Sequence, residues 1–160
     1  MPRIFPTVVI AVACLLAGCA GSKDYTSIKE KRELFESFFG FPPPETVLDI
    51  AGRRVWIGDT LSDWIRFPCD TKLFERIVAT THVPHFEKAQ MDESWKYDLP
   101  DLDTANPNAP TWWPTKPRET IRVLYYERRP YSENQSQSDK LYFWRDAETG
   151  VTFAHYVSWR

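Results

Sequence analysis

Residues 141–159 read LYFWRDAETGVTFAHYVSW and contain the clearest hairpin of the chain. Aromatic and β-branched residues dominate both arms, and the turn at residues 146–150 carries Asp, Thr and Gly. The odd positions of the second arm share one face: Val151, Phe153, His155, Val157 and Trp159. This alternation is typical of a strand with one buried face, so the chain is predicted to end in an antiparallel sheet.

Two short helices are predicted before this hairpin. Ser27 and Glu30 have the spacing of a capping box. Apolar residues at helical spacing continue to Phe39, and a glycine follows as the expected end. Asp70 is the predicted N-cap of the second helix. Its apolar stripe consists of Leu73, Phe74, Ile77 and Val78.

Further extended segments complete the predicted sheet. Residues 46–50 and 53–57 are expected to pair as a hairpin, and residues 63–67 and 120–127 read as separate strands. The sequence therefore predicts an α+β fold, with an antiparallel sheet of roughly four to five strands and two short helices on one side.

Composition and charge limit the function classes. The chain has 160 residues, of which 42% are hydrophobic and 15% aromatic, so residues 27–160 are predicted to form a single globular domain. The formal net charge is -2, with acidic and basic residues mixed along the chain. Because this mixture provides no concentrated positive field, nucleic acid is not an expected partner.

The first 18 residues have the features of a secretory leader. Arg3 supplies a positive charge, and the apolar run at residues 8–16 is too short to span a bilayer comfortably. Residues 16–19 read Leu-Ala-Gly-Cys, which resembles the lipobox of bacterial lipoproteins. The resemblance implies a signal peptide over residues 1–18 and an acylated Cys19 at the new N-terminus. A polar tether over residues 19–26 is then expected to lead into the domain.

This anchor would determine the location of the protein in the cell. Each buried acyl methylene contributes about 0.8 kcal/mol, so membrane residence requires nothing from the folded body. Ala20 and Gly21 follow the cysteine, and the lack of an acidic residue there resembles lipoproteins of the outer membrane that face the periplasm. A soluble secreted protein and an uncleaved membrane anchor are the alternatives.

Cys69 is left without an intramolecular partner, because Cys14 leaves with the leader and Cys19 is acylated. An intermolecular disulfide, a reactive thiol and a buried apolar side chain are the three options. The apolar residues 64–68 directly before it favour burial.

Three histidines are the candidates for metal binding. His82, His85 and Glu87 lie close together in sequence, and His155 would have to join them to complete a zinc site. We favour solvated loop histidines and a hydrogen-bonded core position for His155, so no metal or other cofactor is predicted. The acidic residues at 98, 101 and 103 lack the central glycine and closing glutamate of a calcium loop.

No catalytic residue is predicted, because the sequence contains no G-x-S-x-G elbow, no H-E-x-x-H and no glycine-rich phosphate loop. Trp112 and Trp113 stand between Pro110 and Pro114 and would offer flat apolar faces to a sugar ring or a partner protein. Since adjacent side chains of an extended segment point opposite ways, one tryptophan is expected inside and one outside. The alternative is that both cover one edge of the core.

Several body segments together resemble small bacterial envelope proteins of uncharacterised activity: residues 63–67, the second helix, residues 112–114 and the turn at 146–150. We therefore predict a non-enzymatic envelope lipoprotein that binds an envelope protein or glycan through Trp112 and Trp113. The competing prediction is an envelope hydrolase or glycan-processing protein that uses carboxylates or the His82, His85 and Glu87 site. A purely structural lipoprotein is the third.

Overall fold

The computed structural model describes residues 20–87, 107–115, 121–130 and 138–159. The strands are β1 (Ala20–Asp24), β2 (Ala51–Ile57), β3 (Thr60–Pro68), β4 (His85–Glu87), β5 (Val123–Pro130), β6 (Ser138–Arg145) and β7 (Val151–Trp159). They form one antiparallel sheet in the order β1-β2-β3-β7-β6-β5-β4. The α+β class is confirmed, whereas four to five strands was too low a number.

The predicted C-terminal hairpin is confirmed as β6 and β7, with Arg145 opposite Thr152. In the turn, Asp146 Oδ1 accepts a hydrogen bond of 2.8 Å from the Glu148 backbone N–H. Gly150 closes the turn with a positive φ of 69°, a conformation that glycine adopts without a steric penalty. β7 lies between β3 and β6, so this hairpin supplies the centre of the sheet.

Both predicted helices are present, as α1 (Ile28–Phe39) and α2 (Thr71–Thr81). Ser27 and Glu30 form the capping box of α1, and Gly40 ends that helix in the left-handed conformation. The Asp70 side chain accepts a hydrogen bond of 2.7 Å from the Leu73 N–H at the start of α2. Within the described ranges, neither helix has the length and apolar character needed to cross a membrane.

The predicted hairpin of residues 46–50 with 53–57 is wrong. β2 instead pairs with β3, and the turn between them lies at Gly58, which has a positive φ of 56°. Gly52, read from the sequence as a turn residue, lies inside β2. A side chain there would meet Leu34, since a Cβ on Gly52 would stand 2.3 Å from Leu34 Cδ2. That glycine therefore allows α1 to approach the sheet closely.

The predicted tether over residues 19–26 is also corrected, because Ala20–Asp24 forms β1 and pairs with β2 along its whole length. Its side chains are mostly exposed and give no apolar alternation, so the sequence pattern does not reveal it. Lys23 Nζ lies 2.6 Å from Glu30 Oε1, which ties this edge strand to α1. Cys19 itself lies outside the described residues.

The sheet is packed on both faces. We call the face under α1 and α2 the helix side, where the buried residues include Leu34, Phe35, Phe39, Ile65, Phe67, Ile77, Phe143 and Ala154. The opposite side carries a second cluster: Val55, Trp64, Trp113, Ile121, Leu124, Tyr126, Tyr142, Trp144 and Phe153. The prediction of both helices on one side is confirmed.

Candidate functional site

A cleft of about 910 Å³ opens on the helix side, between the C-terminal ends of the two helices and the sheet. The register places one row of its side chains across four neighbouring strands, in the order Arg54, Asp63, Tyr156 and Leu141. Apolar groups of the walls include Phe38, Leu61 and Trp159. The cleft thus combines an apolar lining with a line of polar groups, a combination typical of ligand sites.

Arg54 and Asp63 form a bidentate ion pair at the base of this row. Arg54 Nε donates to Asp63 Oδ1 at 2.7 Å, and Arg54 Nη2 donates to Oδ2 at 2.7 Å. Asp63 is only 4% exposed, whereas the Arg54 side chain is half-buried. The hydrogen bonds from Arg54 to Asp63 raise the pKa of the guanidinium, so Arg54 stays protonated.

A second polar contact crosses from β7 to β6. The Tyr156 hydroxyl donates a hydrogen bond of 2.6 Å to Asp139 Oδ2. The other carboxylate oxygen of Asp139 is buried and has no hydrogen-bond partner among the described residues. Tyr156 and Asp139 both line the cleft. The Oδ1 atom of Asp139 is therefore a buried acceptor of the site whose hydrogen-bonding capacity the described residues leave unused.

His155 lies on the opposite side of the sheet, as the core residue that the sequence predicts. Its ring stacks on Trp64, and its Nδ1 is hydrogen-bonded with the Tyr142 hydroxyl. Complete burial lowers the pKa of His155 to about 3. A neutral, enclosed imidazole of this kind is suited to packing and has no access to a substrate.

The structure does not bring His155 to the other two histidines of the alternative zinc site. His82 is the exposed C-cap of α2, and His85 begins the outer strand β4. β4 is separated from β7 by two strands, which places His155 about 14 Å away at the strand spacing of a sheet. No three His, Cys, Asp or Glu side chains of the described ranges lie together as a metal site. The side chain of Glu87, and residues 98, 101 and 103, lie outside what the structure describes.

The two predicted tryptophans have different environments. Trp113 is 9% exposed and packs edge-on against Trp144, with ring centroids 5.2 Å apart. Trp112 is half-buried, and the Arg66 guanidinium lies 5.8 Å from its ring centroid. Trp112 also borders a shallow groove of about 220 Å³ together with Tyr25. Only Trp112 therefore retains an accessible face.

Cys69 is buried, as predicted, and it is a free thiol. Burial raises its pKa to about 11, so the nucleophilic thiolate is scarce at neutral pH. This environment is that of a packed side chain, because reactive cysteines have lowered pKa values.

The sequence interpretation missed the residues that line the cleft: Arg54, Asp63, Asp139 and Tyr156. The signal for the first two was the Gly58-Asp59 turn, since placing the turn there sets Arg54 opposite Asp63. Comparisons of the chain with protein-family models, with curated proteins and with solved structures gave no match.

Proposed function

We propose that this chain is a lipid-anchored protein of the bacterial cell envelope that binds an amphiphilic ligand in the helix-side cleft without catalysing a reaction. The observation that carries the binding proposal is the row of Arg54, Asp63 and Tyr156 inside a cleft with apolar walls. Such a site suits a molecule with an apolar body and an anionic or hydrogen-bonding group.

The anchor part of the proposal rests on the lipobox-like residues 16–19 and on Cys19. Replacing Cys19 with serine removes the thiol that is acylated, so the precursor should keep its leader. Pulse-labelling with palmitate and detergent phase partitioning of the wild type and Cys19→Ser test this directly. Equal partitioning and equal size of the two chains would refute the anchor and the envelope address with it.

Arg54 is the residue of the cleft that would donate hydrogen bonds to an acceptor group of the ligand. Its guanidinium is engaged by Asp63 on one edge, yet the side chain is only half-buried. The remaining N–H groups are therefore accessible to an incoming acceptor, in the fork geometry that suits carboxylates and phosphates. Phe38, Leu61 and Trp159 would then contact the apolar part of the same ligand.

Three potentially reactive residues of the described ranges, Asp63, His155 and Cys69, are paired or enclosed, which favours binding over catalysis. Both oxygens of Asp63 accept from Arg54, His155 is enclosed, and Cys69 carries a raised pKa. The enzyme alternative retains one specific support, since Asp63 and Asp139 line the same cleft. Hydrolysis of envelope glycans that is lost in Asp139→Asn, with ligand binding retained, would favour that alternative.

A dye titration tests the cleft. The probe is 1-anilinonaphthalene-8-sulfonate, which has an aromatic body and an anionic group. Thr80→Trp places a bulky ring at the exposed rim of the cleft, whereas Thr71→Trp makes the same change at the other end of α2. We expect at least a tenfold weaker dye affinity for Thr80→Trp and an unchanged affinity for Thr71→Trp. Equal affinities for both variants would count against the cleft.

Trp112 is the second proposed contact surface, and its chemistry suits a partner protein better than a small ligand. It is half-buried beside Arg66, at the border of the groove with Tyr25. Crosslinking in the native envelope, followed by mass spectrometry, should lose a specific adduct in Trp112→Ala. Leu48→Ala is the matched control, because Leu48 is also a large exposed apolar residue. An identical adduct pattern in all three chains would remove Trp112 from consideration.

A further inference from the structure

The strand β1 begins at Ala20, directly after the cysteine proposed to carry the lipid. Ala20 is already paired with Ile57 in the sheet. Consecutive Cα atoms are about 3.8 Å apart, so a lipid on Cys19 would be attached one residue from the start of the sheet. If Cys19 is acylated, this end of the sheet must lie at the membrane surface. The inference below therefore rests on the proposed anchor.

Large apolar side chains are exposed at the same end of the sheet. Ile57 is 51% exposed and Trp56 is 37% exposed, and they are adjacent at the end of β2. Thr60 follows in the register and pairs with Trp159, which is half-buried. We call this set, Ala20, Trp56, Ile57 and Trp159, the anchor end.

Trp56 packs against β1 beside the proposed anchor. Its indole lies over Gly21, where an added Cβ would stand 2.2 Å from the ring. The glycine therefore leaves the space that the indole fills, one residue from Ala20. Tryptophan is the side chain that collects at membrane interfaces, because its ring is apolar and its N–H is a hydrogen-bond donor.

Among the described residues, this end carries charges of both signs. Asp59 lies in the turn between β2 and β3, and the Lys140 ammonium lies 5.8 Å from the centroid of the Trp159 ring. A lysine next to an interfacial aromatic ring suits a surface of phospholipid headgroups. Asp59 has an opposing effect on anionic lipid, so apolar contact rather than charge must carry the docking.

The other end of the sheet is polar. The turn between β6 and β7 carries Asp146, Glu148 and Thr149, and β3 separates the two ends with nine residues. At the rise of a strand this separation is about 26 Å. A lipid surface that contacts the anchor end therefore leaves this turn in water.

From these observations we infer that the anchor end, with Trp56, Ile57 and Trp159, docks on the bilayer surface and holds the sheet upright on the membrane. The lipid attaches the chain, and the exposed side chains fix its orientation. The occupant of this apolar surface is phospholipid, because the acylated residue brings that surface to within one residue of Ala20.

The test uses the full lipidated chain reconstituted in vesicles of phosphatidylethanolamine and phosphatidylglycerol. A fluorophore is attached at Asp59→Cys, in the anchor-end turn, or at Glu148→Cys, in the opposite turn, both in a Cys69→Ala background. Phospholipid with a nitroxide in its headgroup region serves as the quencher. We expect at least twofold stronger quenching at position 59 than at position 148. Equal quenching, or stronger quenching at position 148, would overturn the inference.

Two further chains separate this inference from the anchor itself. Trp56→Ser/Ile57→Ser should still float with the vesicles but should lose most of the difference in quenching. The matched control, Ile28→Ser/Leu48→Ser, removes two exposed apolar residues elsewhere and should keep the difference. Failure of the wild type to float would refute the anchor, whereas flotation with an unchanged difference in Trp56→Ser/Ile57→Ser would refute only the docking.

Discussion

The imidazole of His155 lies flat on the indole of Trp64, with ring centroids 4.4 Å apart and 9° between the ring planes. The two residues are direct partners across β7 and β3. This contact joins the centre of the sheet on the side opposite the helices, and it encloses an ionisable group completely. The stability of this side should therefore depend on pH.

We expect acid to destabilise the wild type more than His155→Phe. Burial lowers the folded-state pKa of His155 from 6.5 to about 3, so the unfolded chain binds a proton first as the pH falls. The stability that the fold has with a neutral His155 is fully present above pH 6.5 and is lost progressively as the pH falls towards 3. We compare the free energy of unfolding of His155→Phe with that of the wild type. When the pH falls from 7 to 5, the variant should gain about 2 kcal/mol relative to the wild type.

Urea unfolding at both pH values measures this shift. His82→Gln is the control, since it replaces an exposed histidine outside the buried cluster. The same pH dependence in His155→Phe and in the wild type would show that the buried imidazole is not the group that titrates on unfolding.

The two tryptophans should differ strongly in their contribution to stability. Trp113 packs against Trp144 and Phe153, so Trp113→Ala should lower the free energy of unfolding by about 3–5 kcal/mol. Trp112 is half-buried, and Trp112→Ala should cost about 1 kcal/mol. Guanidinium unfolding of both variants is the measurement. Equal losses would contradict the assignment of Trp113 to the core and Trp112 to the surface.

The parts of the fold that the sequence predicts correctly are those with a local signal. The hairpin of β6 and β7, the capping box at Ser27 and the Asp70 cap each depend on residues a few positions apart. β1 was missed because an edge strand with exposed polar side chains has the composition of a linker. The pairing of β2 was predicted wrongly because a glycine such as Gly52 is compatible with two structures. It can lie in a turn, or it can lie within a strand where a helix side chain approaches the backbone closely.

The candidate site was harder to predict than the fold, because its residues meet only through strand register. Arg54, Asp63 and Tyr156 come from three strands, and Tyr156 is far from the other two in the chain. Residues that attract notice in a sequence, such as His155 and Cys69, proved to be buried. His155 and Cys69 therefore belong to the packed interior of this protein, whereas common charged residues such as Arg54 and Asp63 line its cleft.

Removal of one partner of the Arg54 and Asp63 pair should be more damaging than removal of both. Arg54→Met leaves a carboxylate that is 4% exposed without its cation, which should cost about 2–3 kcal/mol given that Arg54 is itself half-buried. Arg54→Met/Asp63→Leu should recover most of this loss, because no charge is then left buried.

Arg54→Lys provides a finer test of the same pair. A lysine keeps the charge but does not make two parallel hydrogen bonds, so its stability should lie between the wild type and Arg54→Met. Chemical unfolding of the three variants measures the order. A double variant less stable than Arg54→Met would refute the prediction. The loss of stability would then arise from lost packing and not from the unpaired carboxylate of Asp63.

Gly52 and Gly21 both lie in strands under a large side chain, yet alanine should be tolerated only at one of them. A Cβ at Gly52 would stand 2.3 Å from Leu34 Cδ2, and Leu34 is 3% exposed within the packed core. A Cβ at Gly21 would stand 2.2 Å from the Trp56 ring, which is partly exposed and can swing towards solvent. Gly52→Ala should therefore lower the free energy of unfolding by about 1–3 kcal/mol, and Gly21→Ala by less.

The pair Gly52 and Leu34 allows this steric explanation to be tested by a double-mutant cycle. Leu34→Ala removes the atoms that the new methyl group would meet, so Gly52→Ala should cost less in that background than in the wild type. Strictly additive effects would mean that the loss at Gly52 arises from the strand backbone and not from the approach of α1.

Because α1 forms one wall of the cleft through Phe38, dye binding by Gly52→Ala should weaken together with stability, whereas Gly21→Ala should bind normally.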